Sequence, residues 1–424
     1  MLEKLIQILK IKELRKKIFF VLAMLLVFRF AAHIPVPGVD LKALKDFFNS
    51  TQVLGLLNIL SGGAMRNFSI VALGVAPYIT SSIIFQLLVM VVPKLEELSK
   101  EGERGYQIIN HYTRILTVPL AALQAYGMIV LLQRSGRGII GEMNFSQIIT
   151  TIIVMTAGTM FLVWIGELIS EKKIGNGISL IIFAGIVSRI PGMIQQTLVT
   201  LNPSQLTNII VFIALILITV AGIVFITEAQ RNIPVSYARR VRGIKIYGGT
   251  DTYLPLRVNQ AGMIPIIFAI SVVLFPPLIA RFFLTARASW LVAAAQFVIN
   301  VFQNKIVYDF LYFAFVIIFT YFYTSIIFHP QQIAESLQKQ GGFIPGIRPG
   351  RQTAEYLKKV SNRIMLAGAL FLGTVAVFPI IVQGALGVTS FAISGASMII
   401  VVSVVIETVR QINAQLTMRE YEEI

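Results

Sequence analysis

The chain has three histidines, His33, His111 and His329, and each falls at the end of an apolar run, far in sequence from the others. That scatter assembles neither a metal site nor a nucleophile with its base. Cysteine is absent, which removes disulfides, thiolate ligands and cysteine nucleophiles together. Gly136-Arg137-Gly138-Ile139-Ile140-Gly141 matches the dinucleotide-binding fingerprint letter for letter. It follows an apolar run of membrane-spanning length rather than a strand, and no βαβ unit comes after it, so it reads as an outer turn. Gly-Lys never occurs, so there is no Walker loop. Glu167, Glu228 and Glu407 stand at the ends of apolar runs, whereas an ion-coupled transporter places carboxylates deep in its bundle. Arg29 is the one basic residue well inside such a run, and its long side chain reads as snorkelling or pairing. No catalytic residue, metal site or cofactor is expected.

The elements that must position any function are membrane helices. Hydrophobic residues make up 56% of the chain and charged residues 13%, with a mean hydropathy of +0.78, which excludes an ordinary soluble domain. Apolar stretches of spanning length lie near 18–34, 70–92, 113–133, 147–167, 178–190, 207–228, 260–280, 306–328, 364–382 and 391–409. Runs such as 207–226 are unbroken, unlike the alternating ten-residue strands of a barrel. The fold class expected is therefore an all-α integral membrane protein with ten transmembrane helices.

The net charge of +16 is distributed by topology. Segments 1–17, 93–114, 167–177, 229–259, 329–363 and 410–424 hold 26 Lys or Arg, and the alternate loops hold 9. The positive-inside bias puts both termini in the cytoplasm. Residues 1–17 read as a basic amphipathic helix on the inner leaflet rather than a cleavable signal, because a long apolar segment follows with no small-residue cleavage site. Two blocks of five spans, 18–190 and 206–409, flank an external loop at 191–205. Since five is odd, a duplicated second block would be inverted relative to the first. Cytoplasmic loops are expected at 229–259 and 329–363, and a cytoplasmic tail at 410–424.

Broken helix stands out. In residues 55–68 a short apolar turn, with Leu56, Leu57, Ile59 and Leu60, meets Ser61-Gly62-Gly63 and then polar Arg66-Asn67 before the next span begins. Such a segment is too short to cross, and in lipid its backbone would go unsatisfied, so it must lie at the surface or inside a protein cavity. The span it leads into carries Gly74, Pro77, Ser81, Ser82 and Gln86. The seventh span carries Asn259, Gln260, Gly262, Pro265 and Pro276-Pro277. Prolines, small residues and amides permit bending and close approach, and both spans stand second in their block of five, which favours a shared mobile seam.

Four stretches, "LSGGAMRNFSIVALGVAPYITSSIIFQLL" at 60–88, "EKKIGNGISLIIFAGIV" at 171–187, "LPLRVNQAGMIPIIFA" at 254–269 and "GGFIPGIRPGRQTAEYL" at 341–357, occur in family order, and the chain resembles the bacterial SecY family of protein-conducting channel subunits over essentially its whole length. The resemblance implies two pseudo-symmetric inverted halves of five helices around an hourglass pore, hinged at 191–205. It makes Val75, Ile79, Ile178, Ile182, Ile267 and Ile400 a central pore ring and 55–68 a plug, with Leu56, Leu57, Ile59, Leu60, Ser61, Gly62, Gly63 and Arg66 as its working residues. It sets Thr80, Gln86, Asn259 and Phe275 at a lateral gate for hydrophobic signal peptides. It assigns Arg239, Arg240, Arg242, Lys245, Arg348 and Arg351 to docking a ribosome, through ribosomal RNA phosphate, or the SecA ATPase. SecE and SecG subunits, nascent polypeptides as cargo, membrane lipid and the bacterial inner membrane are likewise implied. Without an ATP site of its own, the chain would be a passive channel driven by a partner.

The alternative is a secondary transporter of a small solute, which broken helices and inverted repeats also suit. Such a transporter needs a coupling site. A membrane-embedded enzyme would need a nucleophile and base, and none is paired in the sequence.

Overall fold

A computed structural model describes residues 11–37, 39–40, 43–44, 63–133, 139, 141, 143–199, 206–237, 240–242, 245–247, 251–284, 288–386 and 395–422. The helices are α1 (Lys12–Ala31), α2 (Ala76–Val91), α3 (Pro93–Lys100), α4 (Glu103–Gln133), α5 (Phe145–Glu171), α6 (Gly177–Val187), α7 (Ile190–Val199), α8 (Leu206–Glu228), α9 (Ile264–Phe283), α10 (Ser289–Gln303), α11 (Lys305–Ile327), α12 (Pro330–Lys339), α13 (Arg351–Leu386) and α14 (Gly395–Glu422). Strands β1 (Gln230–Tyr237), β2 (Arg240–Arg242), β3 (Lys245–Tyr247), β4 (Thr252–Arg257) and β5 (Gly342–Phe343) complete the set. Among the described residues seven helices are long and apolar enough to cross a membrane, or eight if the bent pair α2 and α3 forms one span. This is a multi-pass membrane protein. Each of the ten expected spans has a helix on it, but α1, which carries Arg15, Lys16, Lys17 and Arg29, is not among the seven, and in α9 only Ile264–Val273 is found, as a shorter apolar helix.

Several boundaries differ from the sequence reading for local reasons. Residues 12–17 are not a separate surface helix but the first turns of α1. The second span begins at Ala76 rather than 70, because Gly74 takes φ +60° and Pro77 sits in the first turn of the helix. It ends at Val91, where Pro93 turns the chain through 100° into α3. The segments read as loops at 281–305 and 329–363 are largely helical, forming α10, α12 and the opening turns of α13. α10 is apolar but, at 15 residues, shorter than a span, and α12 mixes polar with apolar residues, needing only one apolar stripe.

The chain forms two compact units that interleave along the sequence: Met1–Thr200, Leu274–Phe302 and Val404–Ile424 in one, Leu201–Val273 and Gln303–Ser403 in the other. The halves expected from span count are contiguous, so they are a different division.

In the first unit α2 packs on α4, α4 on α5, and α5 on α6, while α1 lies against α5 and α6. Its largest described cluster joins Val36, Leu44, Met65, Phe68, Leu73, Ala121, Ala125, Met128, Leu132, Ile139 and Met155. Burying side chains such as Phe68, fully removed from solvent, is worth roughly 1.5–3 kcal/mol each. In the second unit α13 packs on α11, α8 and α12. A three-stranded antiparallel sheet, ordered β4-β1-β5, pairs Ile233 with Leu254 and Ser236 with Phe343. Ile233 and Val235 alternate inward along β1 onto Leu256, Ile344, Leu357 and Val360. Arg240–Arg242 and Lys245–Tyr247 pair as a separate hairpin.

Candidate functional site

The head of α2 is the best-determined part of the site. Gly63, at φ +82°, leads into a 3-10 turn over Met65–Asn67, and Phe68 follows in the left-handed region at φ 41°. That turn is tied to the chain beyond α1: Val36 N–H donates to the Phe68 carbonyl at 2.8 Å, Ile70 N–H to Ile34 at 3.0 Å, and Asn67 Nδ2 to Ala32 at 3.4 Å. Ser69 Oγ donates to the Ala64 carbonyl at 3.2 Å. Of the expected plug, then, residues 63–68 are rooted in a hydrogen-bonded, apolar core. Leu56, Leu57, Ile59, Leu60, Ser61 and Gly62 lie outside the described residues, and Arg66 is placed only as the middle of the 3-10 turn. Val75 is the N-cap of α2 and Ile79 lies one turn on, both buried.

α6 carries Ile178 and Ile182. Asn176 caps it, its Oδ1 accepting from Ser179 N–H at 3.1 Å, and Ser170 Oγ accepts from Gly177 N–H at 2.9 Å. A Cβ on Gly177 would collide with the Gly166 carbonyl of α5, so only glycine lets these helices meet so closely. Ile178 Cδ1 fills the space beside Gly166, and Ile182 is almost wholly buried.

In the second unit α9 begins with Ile264 and Pro265, following Gly262 at φ +64°. Ile267 is buried, and its neighbour Phe268 stands edge-on to Phe319 and Tyr323 of α11 at 5.9 and 5.8 Å between centroids. Ile400 is fully buried in α14, whose first residue, Gly395, lies directly against the Val375 carbonyl. Four ring residues thus fall in one unit and two in the other, and five of the six are buried.

The four lateral-gate residues are unlike one another. Thr80 Oγ1 is satisfied by the Ala76 carbonyl at 3.0 Å. Gln86 Nε2 donates to Ser82 Oγ at 3.2 Å, but its Oε1 is buried without a partner among the described residues. Asn259, 6% exposed, finds no partner for Oδ1 or Nδ2 among the described residues. The side chain of Phe275 lies outside the described residues. A buried amide with no partner costs about 1–3 kcal/mol per unmet group, so Asn259 is a standing penalty at the head of α9.

The basic segments divide similarly. Arg239 lies outside the described residues, while Arg240, Arg242 and Lys245 belong to the β2–β3 hairpin, with Arg242 and Lys245 directly opposite in register. Arg348 is exposed and offers its carbonyl to Thr353 Oγ1 at 2.9 Å; Arg351, 92% exposed, pairs with Glu355 at 3.0 Å.

Sequence reasoning missed two features. Arg114 on α4 holds Glu167 on α5 at 3.1 Å, a partnership between distant positions that no spacing announces. In the opening turns of α11, Tyr308, Asp309 and Tyr312 each bury a polar atom with no partner among the described residues; the spacing Tyr308, Tyr312 puts the two rings on one helix face, 6.3 Å apart. Of the dinucleotide-like motif only Ile139 and Gly141 are described.

The family model described as SecY matches residues 69–409. The protein translocase subunit SecY of Corynebacterium glutamicum is 45% identical, covering 99% of this chain and 98% of its own length. The proteins of the same name from Thermotoga maritima and Thermus thermophilus are each 43% identical, covering 97% and 98% of this chain and 95% of their own. Among solved structures, one described as a protein conducting channel superposes with a TM-score of 0.65 over 94% of this chain and 91% of its own, at 16% identity. Sec61 in a canine ribosome-channel complex gives 0.62 over the same shares, also at 16% identity. Those two likenesses establish a shared fold. With a family model spanning most of its length and relatives matching it end to end, the chain belongs to the SecY family.

Proposed function

We propose that this protein is the channel subunit that passes unfolded secretory polypeptides across the cytoplasmic membrane and releases apolar segments sideways into lipid. The observation that carries the reading is the end-to-end match to relatives named as protein translocase subunits. The residues supply a physical rationale. Val75, Ile79, Ile178, Ile182, Ile267 and Ile400 are all aliphatic, and a constriction lined this way seals against water and ions while presenting no hydrogen-bond pattern to a passing chain. The segment 55–68 would close it from one side, swinging on Gly62-Gly63 about the root formed by residues 63–68. Thr80, Gln86, Asn259 and Phe275 would line a lateral gate, where a run of ~20 apolar residues gains free energy by entering lipid and a polar chain does not. The buried Gln86 Oε1 and the Asn259 amide, which have no partner among the described residues, support that reading, since such groups could be met by an arriving segment.

Within this reading the halves 18–190 and 206–409 move about 191–205, and both termini are cytoplasmic, as the distribution of Lys and Arg requires. Arg239, Arg240, Arg242 and Lys245, with Arg348 and Arg351, form a docking surface for ribosomal RNA phosphate or the SecA ATPase. SecE and SecG complete the channel.

Proteoliposomes carrying the chain with SecE, SecG and a motor ATPase are expected to import an unfolded precursor bearing a signal peptide. Accumulation of a small solute against an ion gradient, without precursor import, would replace this reading with the transporter. The geometry speaks against that replacement, because Glu167 is already neutralised by Arg114 and Asp309 lies within the first turns of α11 rather than at its centre.

A further inference from the structure

α14 does not end with its apolar run. It continues to Glu422, and its later turns make a set of long-range contacts at the sharp connection between α5 and α6. That connection is short and tense. α5 closes at Glu171, Lys172 N–H and Lys173 N–H bond back to the Ile169 and Ser170 carbonyls at 3.1 and 3.0 Å, and Lys173 takes the left-handed conformation at φ 57°. A lysine there lacks the freedom of the glycine that usually ends a helix this way. The turn leaves the Lys172 and Lys173 carbonyls without intrahelical partners, at the negative end of the α5 dipole.

Gln415 of α14 supplies both missing donors. Its Nε2 donates to the Lys172 carbonyl at 3.3 Å and to the Lys173 carbonyl. Its Oε1 accepts from Lys17 Nζ of α1 at 3.1 Å. One half-buried amide therefore joins the start of α1, the end of α5 and the far end of α14. Apolar contacts flank it: Leu14 and Leu416 are buried together with Ile11, Ile18 and Ile412, and Lys172 Nζ lies 4.9 Å from the centre of the Phe20 ring. Five residues beyond Lys173 come Ile178 and then Ile182. α6 is rigidly coupled to the turn through Ser170 Oγ, Asn176 and the close approach of Gly177 to Gly166.

We propose that Gln415 is a positioning residue: the carboxy-terminal part of α14 clamps the α5–α6 turn and so sets the placement of Ile178 and Ile182. The inference rests on the reading of those two isoleucines as part of a sealing ring. It gives the last turns of the chain a role in the closed state of the channel, apart from any docking of partners.

The test uses the full chain with its partner subunits in lipid nanodiscs and proteoliposomes, comparing Gln415→Ala, Gln415→Glu and Thr417→Val. Gln415→Glu keeps size and the acceptor for Lys17 but cannot donate to the two carbonyls; Thr417 bonds only within its own helix, to the Asn413 carbonyl. Amide exchange over residues 172–180 is expected to accelerate by about tenfold in both Gln415 variants, the loss of hydrogen bonds to otherwise unpaired carbonyls, and to be unchanged in Thr417→Val. Ion leak through the resting channel rises in parallel. Unchanged exchange in Gln415→Glu, or equal acceleration in Thr417→Val, overturns the clamp. Faster exchange with no added leak leaves the clamp standing and removes Ile178 and Ile182 from the seal, which separates the failure of this inference from the failure of the one beneath it.

Discussion

The heads of α2 and α9 are built on the same local plan and finished differently. Each has a glycine in the left-handed region, Gly74 at φ +60° and Gly262 at φ +64°, and each has a proline three residues later inside the first turn, Pro77 and Pro265. Glycine permits the abrupt entry and proline starts the helix without wasting a donor. Upstream the two part company. Before α2, Asn67 and Ser69 both donate to carbonyls, and Phe68 and Met65 are sealed in a core. Before α9, Val258 is anchored through the Ala229 carbonyl, yet the buried Asn259 amide has no partner among the described residues, and Gln260 reaches Ser361 only at 3.5 Å. The first head is stabilised where it stands. The second carries a buried polar group with no partner among the described residues, which is what the proposed gate role would use and an anchor would not.

The sharpest way to break this comparison is to damage the anchor. Phe68→Ala removes a fully buried ring and is expected to cost about 3–5 kcal/mol, read as a lower thermal unfolding midpoint in detergent together with a leakier resting channel. Equal stability would mean that the turn around Phe68 is not the rigid partner in the contrast. At the other head the sign reverses. Asn259→Leu relieves the unpaired amide and is expected to stabilise the resting protein by about 1–3 kcal/mol while slowing import of precursors with weak signal peptides, measured as translocation rate in proteoliposomes. Destabilisation would show that the amide has a partner at rest.

Gly74→Ala and Gly262→Ala test the shared plan. Each forces a side chain into left-handed backbone, and each is expected to cost about 1–2 kcal/mol, with the two losses equal within error in thermal denaturation. A large inequality would mean that the resemblance between the heads is only in sequence. The smallest effect on stability belongs to the exposed surface. Arg351→Glu breaks a pair exposed to water and should leave the unfolding midpoint unchanged, since such pairs contribute a few tenths of a kcal/mol, but should weaken motor or ribosome binding in a salt-sensitive manner. Binding that is indifferent to both the substitution and added salt would remove Arg351 from the docking surface.

Much of this molecule was legible in one dimension. Spans such as α4, α5, α8, α11 and α13 follow from apolar runs, because a bilayer demands about 20 such residues and leaves little else for them to do. The break before α2 was legible from Ser61-Gly62-Gly63, and the end of that span near 92 from its apolar run, but the 100° turn into α3 at Pro93 was not. The short helices α10 and α12 were not, because α10 is apolar but too short for a span and α12 has the mixed composition of a polar loop. Pairings were hidden altogether. Nothing in the spacing of Arg114 and Glu167, 53 positions apart, or of Lys17, Lys172 and Gln415 announces that they touch.

The division has a physical cause. Hydropathy is a property of a residue and its immediate neighbours, so composition, the approximate places of the apolar spans and the uneven distribution of Lys and Arg along the chain were settled by the sequence alone. Hydrogen-bond satisfaction is a property of the packed whole. Whether an amide is clamped, as Gln415 is, or left waiting, as Asn259 is, depends on which distant backbone folding brings within 3 Å, and only the tertiary structure decided it.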